Sequence, residues 1–147
     1  MISEESVSIN PCSIKKKCIV LTVGVYDLLH LGHVNLFRRA KRYGDYLLVA
    51  VQTSDAVNKY KPNANLVNST EERMFMVNSI KYVDNCCEYQ NVFDIVRKVE
   101  FDVFVVGPDQ THQGFQDAFK YCDEHGKKIV VLPRTEGISS SLLREKR

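Results

Sequence analysis

The stretch "GVYDLLHLGH", Gly24 to His33, holds two imidazoles three residues apart, with Asp27, Gly24 and Gly32 around them. Histidines at that spacing face the same way on one helical turn. Neutral or protonated, each can donate a hydrogen bond to a phosphoryl oxygen, and a helix start adds free backbone N–H groups. The segment fits neither GxGxxG nor a P-loop with its lysine, so what it offers is anion binding by small residues and donors. His30 and His33 lack a third metal ligand at nearby spacing. Asp27 can cap the first turn, hold a histidine tautomer or ligate a metal.

Four further clusters carry donors. "NKYKPN" contains Lys59 and Lys61, and in an extended segment alternate positions point both ammonium groups to one side. "STEERMFMVNSIKYVD" sets Arg73 one turn into a helix and Lys81 near its end. "VVGPDQTHQGF" runs a strand into Gly107, Pro108 and Asp109, a carboxylate able to orient a hydroxyl, bind a nucleotide amine or cap the next helix. "LPRTEGISSS" brings Arg134 off a strand and opens a last helix with Ser139, Ser140 and Ser141, so that guanidinium, hydroxyls and free N–H groups converge on an anion. Nucleophiles are scarce: there is no G-x-S-x-G elbow, no well-placed cysteine and no close carboxylate pair. Such a cleft suits phosphoryl or nucleotidyl transfer, where catalysis is positioning plus stabilisation of developing charge.

These clusters need elements that gather them. "CIVLTVG" is a nearly continuous β-branched run, as expected of an interior parallel strand covered on both faces. "GHVNLFRRAKRYG" then lines Val34, Phe37 and Ala40 along one helical face. "YLLVAVQT" is a second strand, and much of the polar stretch from Ser54 to Asn68, with Pro62, is loop. Ser69 and Glu72 form a capping box before "RMFMVNSIKYV". Short strands at "NCCEY", "DVFVVG" and "KIVVLP" alternate with helices at "VFDIVRKV" and "THQGFQDAFKYCDEHG", and a last helix begins near Ser139. This βαβ alternation predicts a single α/β domain: a Rossmann-like, doubly wound parallel sheet of about five strands. Ligands in such sheets sit beyond the carboxyl ends of the strands, where every one of the five clusters except "STEER…YVD" directly follows a strand or its loop.

Composition narrows the partners. The chain has 147 residues, 44% of them hydrophobic, enough for one domain with a real core. Twenty basic residues against 18 acidic ones leave a charge of +2, so no duplex-binding surface is expected and basic chemistry must be local. Five cysteines without CxxC spacing, Cys12, Cys18, Cys86, Cys87 and Cys122, argue against a disulfide framework and for a reducing, cytoplasmic location. No run approaches membrane-spanning length, and no membrane insertion is expected. Residues 1–16 lack a helical or strand period and read as a flexible arm preceding a catalytic domain over 17–147.

"GVYDLLHLGH" and "RTEGISSS" resemble the two signatures of the cytidylyltransferase-like nucleotidyltransferases, and Lys17 to about Arg144 is similar to the bacterial glycerol-3-phosphate cytidylyltransferases, with "GDYLLVAVQTSD", "STEER" and "IKYVD" in the same order. The resemblance implies CMP transfer from CTP to a small phosphorylated alcohol or polyol, giving a CDP-alcohol and pyrophosphate with no covalent enzyme intermediate. It implies that His30, His33, Lys61 and Arg134 are catalytic. Val23, Gly24, Tyr26, Asp27, Gly32, Asp109, Thr135, Gly137, Ile138, Ser139 and Ser140 would line the nucleotide, and Lys59, Arg73 and Lys81 would take substrate phosphate. It further implies Mg²⁺ held mainly by CTP phosphates, with no dedicated metal residues, and a homodimer.

Three departures from those enzymes stand out: Lys81 replaces an arginine, Gln110 replaces a tryptophan in "GPDQTHQGF", and the N-terminal arm is extra. The second bears on the acceptor, with His112, Gln113 and Phe115 able to contact a different phosphorylated polyol or sugar, or else to form an ordinary helix start with Phe115 inward. Two other functions compete: an adenylyltransferase on the same fold, and a non-enzymatic nucleotide-binding protein.

Overall fold

The computed structural model describes residues 17–135. Five strands, β1 (Ile19–Gly24), β2 (Tyr46–Gln52), β3 (Asn85–Tyr89), β4 (Val103–Val106) and β5 (Lys128–Val131), form one sheet of order β3-β2-β1-β4-β5. Every pairing is parallel, with Ile19 opposite Tyr46, Val20 opposite Val103 and Val103 opposite Lys128. The expected doubly wound α/β sheet is therefore what the chain builds, with its order reversing between β1 and β4.

The helices are α1 (Leu31–Lys41), α2 (Ser54–Tyr60), α3 (Thr70–Asn78), α4 (Val92–Lys98) and α5 (Gln113–Glu124). Phe37 and Ala40 of α1 and Val77 of α3 bury against Val20, Val49 and Val51 on one face of the sheet. On the other face, Val92, Ile95 and Val96 of α4 and Phe115, Ala118 and Cys122 of α5 bury against Leu21, Val23 and Phe104. Both faces of β1 are thus dry, which is why its sequence is apolar without alternation. Among the described residues no helix is long and apolar enough to cross a membrane.

The polar stretch after β2 begins with a helix, α2, because the Thr53 side chain accepts from the Ala56 amide and caps it, while Ala56 and Val57 face inward. The capping box before α3 forms as expected, Ser69 Oγ accepting from Glu72 N at 3.1 Å and Glu72 Oε1 from Ser69 N at 2.8 Å. The arm over 1–16 and the helix expected near Ser139 lie outside the described residues.

Candidate active site

His30 is the N-cap of α1: its Nδ1 accepts from the Gly32 amide at 3.0 Å, and its own amide donates to His33 Nδ1 at 3.2 Å. The two rings stack with centroids 3.9 Å apart and planes 25° from parallel. Burial, and for His33 the neighbouring His30 as well, disfavours the charged forms, lowering the His30 pKa and taking that of His33 down to about 3. Both imidazoles are therefore neutral near pH 7. A neutral ring whose Nδ1 accepts must carry its proton on Nε2. The outcome is a pair of adjacent Nε2–H donors at the carboxyl end of β1.

Tyr26 sets that pair in place. It is buried with φ of 56°, and its ring meets His33 edge-on at 5.3 Å and Phe37 at 5.2 Å. The ring lies over Gly24, where a Cβ would stand 2.6 Å from Tyr26 Cζ, so only glycine fits beneath it. Asp27 neither caps α1 nor stands free. Its carboxylate is 2% exposed and accepts from the amides of Val67 and Asn68, at 2.9 and 2.8 Å, pinning the loop before α3 beside the β1–α1 turn.

Two other loops close around this one. After β4, Gln110 Nε2 donates to the Val23 carbonyl and Gln110 Oε1 accepts from the Gly107 amide, each at 2.9 Å, so the ends of β4 and β1 are bridged. A Cβ at Gly107 would meet nothing within 4 Å, which leaves bare backbone facing open space. Asp109 pairs with Arg134, joining the loops after β4 and β5. The segment after β5 in turn lies along α1, with Asn35 Nδ2 donating to Thr135 Oγ1 at 3.2 Å and Arg39 to the Pro133 carbonyl at 3.2 Å. Gly137, Ile138, Ser139 and Ser140 lie outside the described residues.

Several expected roles change. Arg73 cannot grip a substrate phosphate from where it stands. It is fully buried, and its guanidinium donates to Asn68 O, Val25 O, Gln52 O, Ser54 Oγ and Thr70 Oγ1. All five of its N–H groups are thereby committed to tying the ends of β1 and β2 to α2 and α3. Lys81 lies in the turn leading into β3, at the amino end of the sheet, with its ammonium 5.2 Å from the Tyr82 ring centre. Parallel topology puts it across the sheet from the strand ends that carry the histidines. Lys59 and Lys61 are on the correct side and exposed, but Lys59 lies in the last turn of α2 and Lys61 is its C-cap, so they do not alternate along an extended segment. Val23 and Tyr26 are buried side chains that could meet a nucleotide through backbone alone, and the Val23 carbonyl is already taken by Gln110.

At the start of α5, Phe115 packs inward against Phe104, and His112 is the N-cap, its Nδ1 accepting from Gly114 N at 3.2 Å. Neither Asn35 nor the latch made by Gln110 has a signature in the sequence. Asn35 stands on the polar side of an amphipathic helix, where its pattern is that of any surface residue. Among the described residues no group of three or more His, Cys, Asp or Glu could hold a metal ion, and Cys18, Cys86, Cys87 and Cys122 are unpaired thiols.

A family model described as "Cytidylyltransferase-like" matches residues 21–146. A glycerol-3-phosphate cytidylyltransferase from Staphylococcus aureus is 38% identical over 129 residues, covering 86% of this chain and 92% of that one. An FAD synthase from Thermococcus kodakarensis is 30% identical over 135 residues, covering 88% of this chain and 80% of the other. The crystal structure of a lipopolysaccharide core biosynthesis protein from Thermoplasma volcanium superposes with a TM-score of 0.66 at 24% identity, over 82% of this chain and 98% of that one, a likeness of fold.

Proposed function

The chain belongs to the cytidylyltransferase-like family, and on that premise we propose that it transfers CMP from CTP to a small phosphorylated alcohol or polyol, glycerol 3-phosphate or a related phosphomonoester. An acceptor phosphate oxygen attacks the CTP α-phosphorus, the bond from that phosphorus to the bridging oxygen of the β-phosphate breaks, and pyrophosphate leaves with the electron pair. A phosphomonoester has its second pKa at about 6, so the attacking oxygen is already deprotonated near pH 7 and no general base is required. Stabilisation of charge on the transferring and leaving phosphates is the remaining task.

The single observation that carries this reading is the stacked pair His30 and His33, each with Nδ1 taken by a backbone amide and Nε2–H left over. Two donors and no base is the equipment such a displacement needs. Lys59 and Lys61, at the mouth of the loop pinned by Asp27, add positive charge, and Arg134, Thr135, Gly137, Ile138, Ser139 and Ser140 would cradle the β- and γ-phosphates. Asp109 would stand near the nucleotide, exchanging its hold on Arg134 for one on substrate. Among the described residues, the carboxylates of the site are already engaged, Asp27 by amides and Asp109 by Arg134. Magnesium in this proposal arrives coordinated by the triphosphate. Homodimerisation and a cytoplasmic location belong to the same proposal, the latter supported by the unpaired thiols.

Pyrophosphate release from CTP and Mg²⁺, with glycerol 3-phosphate, phosphocholine, phosphoethanolamine and several sugar phosphates as acceptors, tests it. Release with at least one acceptor is expected, and none with any acceptor contradicts the proposal. The likeness to an FAD synthase favours one second reading, transfer of AMP from ATP. Competition of ATP against CTP for the site separates the two, CTP binding more tightly under the first.

A further inference from the structure

We propose that Tyr26 is a positioning residue, whose ring acts as a wedge holding His33 in the orientation that aims its Nε2–H at the phosphates. The proposal rests on the reading of His33 given above and adds to it the part that makes His33 a fixed, neutral donor.

The geometry is that of a clamp. Tyr26 adopts a left-handed backbone, φ 56°, which a tyrosine takes only where its surroundings over-determine it. That turn throws the ring back over Gly24, onto bare backbone with no room for a methyl group. From there the ring edge presses on His33 at 5.3 Å, with planes 86° apart, and on Phe37 one turn further along α1. On its free face His33 has His30 stacked at 3.9 Å. The imidazole is thus gripped between an aromatic wedge and a second imidazole, while its Nδ1 is pinned by the His30 amide.

The hydroxyl plays no part in the clamp. It is buried beside the Thr22 hydroxyl, which donates to the Val105 carbonyl at 2.8 Å and keeps a lone pair for the tyrosine O–H. The titratable groups that act electrostatically on Tyr26 are Tyr89 and Cys86, both uncharged near pH 7 because burial raises their pKa values. Among the described residues, His30 is the one ionisable group acting on His33 beside the burial that Tyr26 helps provide. Removing the ring opens His33 to water and lets its pKa climb.

Two kinds of measurement on the full chain test this. NMR titration of the His33 ring protons reads its pKa without any substrate, and pyrophosphate release from CTP and the best acceptor reads kcat and KM separately. In Tyr26→Phe the ring remains: His33 should titrate as in wild type and kcat should stay within about twofold. In Tyr26→Leu the His33 pKa should rise by a unit or more, and kcat should fall about tenfold or more with the KM for CTP changed less than threefold, since misplacement of a donor weakens the transition state more than the ground state. Should Tyr26→Leu fail to fold, Gly24→Ala keeps the tyrosine but displaces its ring and should raise the His33 pKa in the same direction. A wild-type His33 titration in Tyr26→Leu, or in Gly24→Ala, overturns the proposal. So does a loss of kcat in Tyr26→Phe as large as in Tyr26→Leu, which would assign the effect to the hydroxyl. Absence of turnover in wild type with every acceptor would instead count against the proposed reaction, and the titration would still decide the wedge.

Discussion

The Gln110 carboxamide donates to the Val23 carbonyl at 2.9 Å while accepting from the Gly107 amide at 2.9 Å, and so spans the gap between the carboxyl ends of β4 and β1 where the strand order reverses. A carboxylate in its place can accept from Gly107 but can only repel the Val23 carbonyl. Gln110→Glu should therefore lower the unfolding free energy by about 1–3 kcal/mol in urea denaturation, and exchange of the Gly107 amide should quicken. Unchanged stability and exchange would mean that the latch is not made in solution.

Arg73 separates a structural role from a phosphate-binding one. With five hydrogen bonds inside the protein and no exposure, Arg73→Met should cost about 3–5 kcal/mol of stability, because a buried polar network loses its centre. Arg73→Lys should also destabilise, since one ammonium cannot replace a fork of five donors. A stable Arg73→Lys variant whose KM for CTP alone had risen would contradict this and return Arg73 to the site.

His30 performs two tasks that one substitution can pull apart. Asparagine is a good N-cap, so His30→Asn should keep the start of α1 and most of the stability. It lacks the outward Nε2–H, and kcat for pyrophosphate release should fall by about 10²-fold or more. Near-normal turnover in a folded variant would remove His30 from the chemistry.

The His33 pKa of about 3, below the ordinary 6.5, ties stability to pH. Between those values the unfolded chain binds a proton that the folded chain excludes. Stability from this group is complete above pH 6.5 and falls as pH drops toward 3, by up to about 1.4 kcal/mol per pH unit. The stability difference between wild type and His33→Asn, from urea midpoints at pH 7.5, 5.5 and 4.5, should shrink or reverse in that order. A difference independent of pH would show that His33 is not held neutral.

Much of this was legible in the sequence because the fold announces itself through apolar runs. "CIVLTVG" and "DVFVVG" are central strands with both faces dry, and the Ser69–Glu72 capping box starts α3 as its spacing predicts. The pair His30 and His33 was legible because a strand leads directly into it. Arg73 was not. A charged residue one turn into a helix beside Glu71 and Glu72 has the pattern of a solvated face, and its burial depends on carbonyls of Val25 and Gln52, distant in the chain. Lys81 was misplaced for a topological reason: sequence order shows a cation near a strand but not which end of the sheet that strand presents. The helix α2 was hidden by the asparagines and lysines around it, although Thr53 supplied its cap.

Nitrogen-15 spectra of the histidine rings at pH 7.5, recorded through their long-range couplings to the ring protons, read which nitrogen of His30 and of His33 carries hydrogen. The account predicts the Nε2–H form for both rings in the free protein, and a shift of both Nε2 resonances when CTP is added. Either ring protonated on Nδ1 alone, or CTP bound with both Nε2 resonances unmoved, would contradict it.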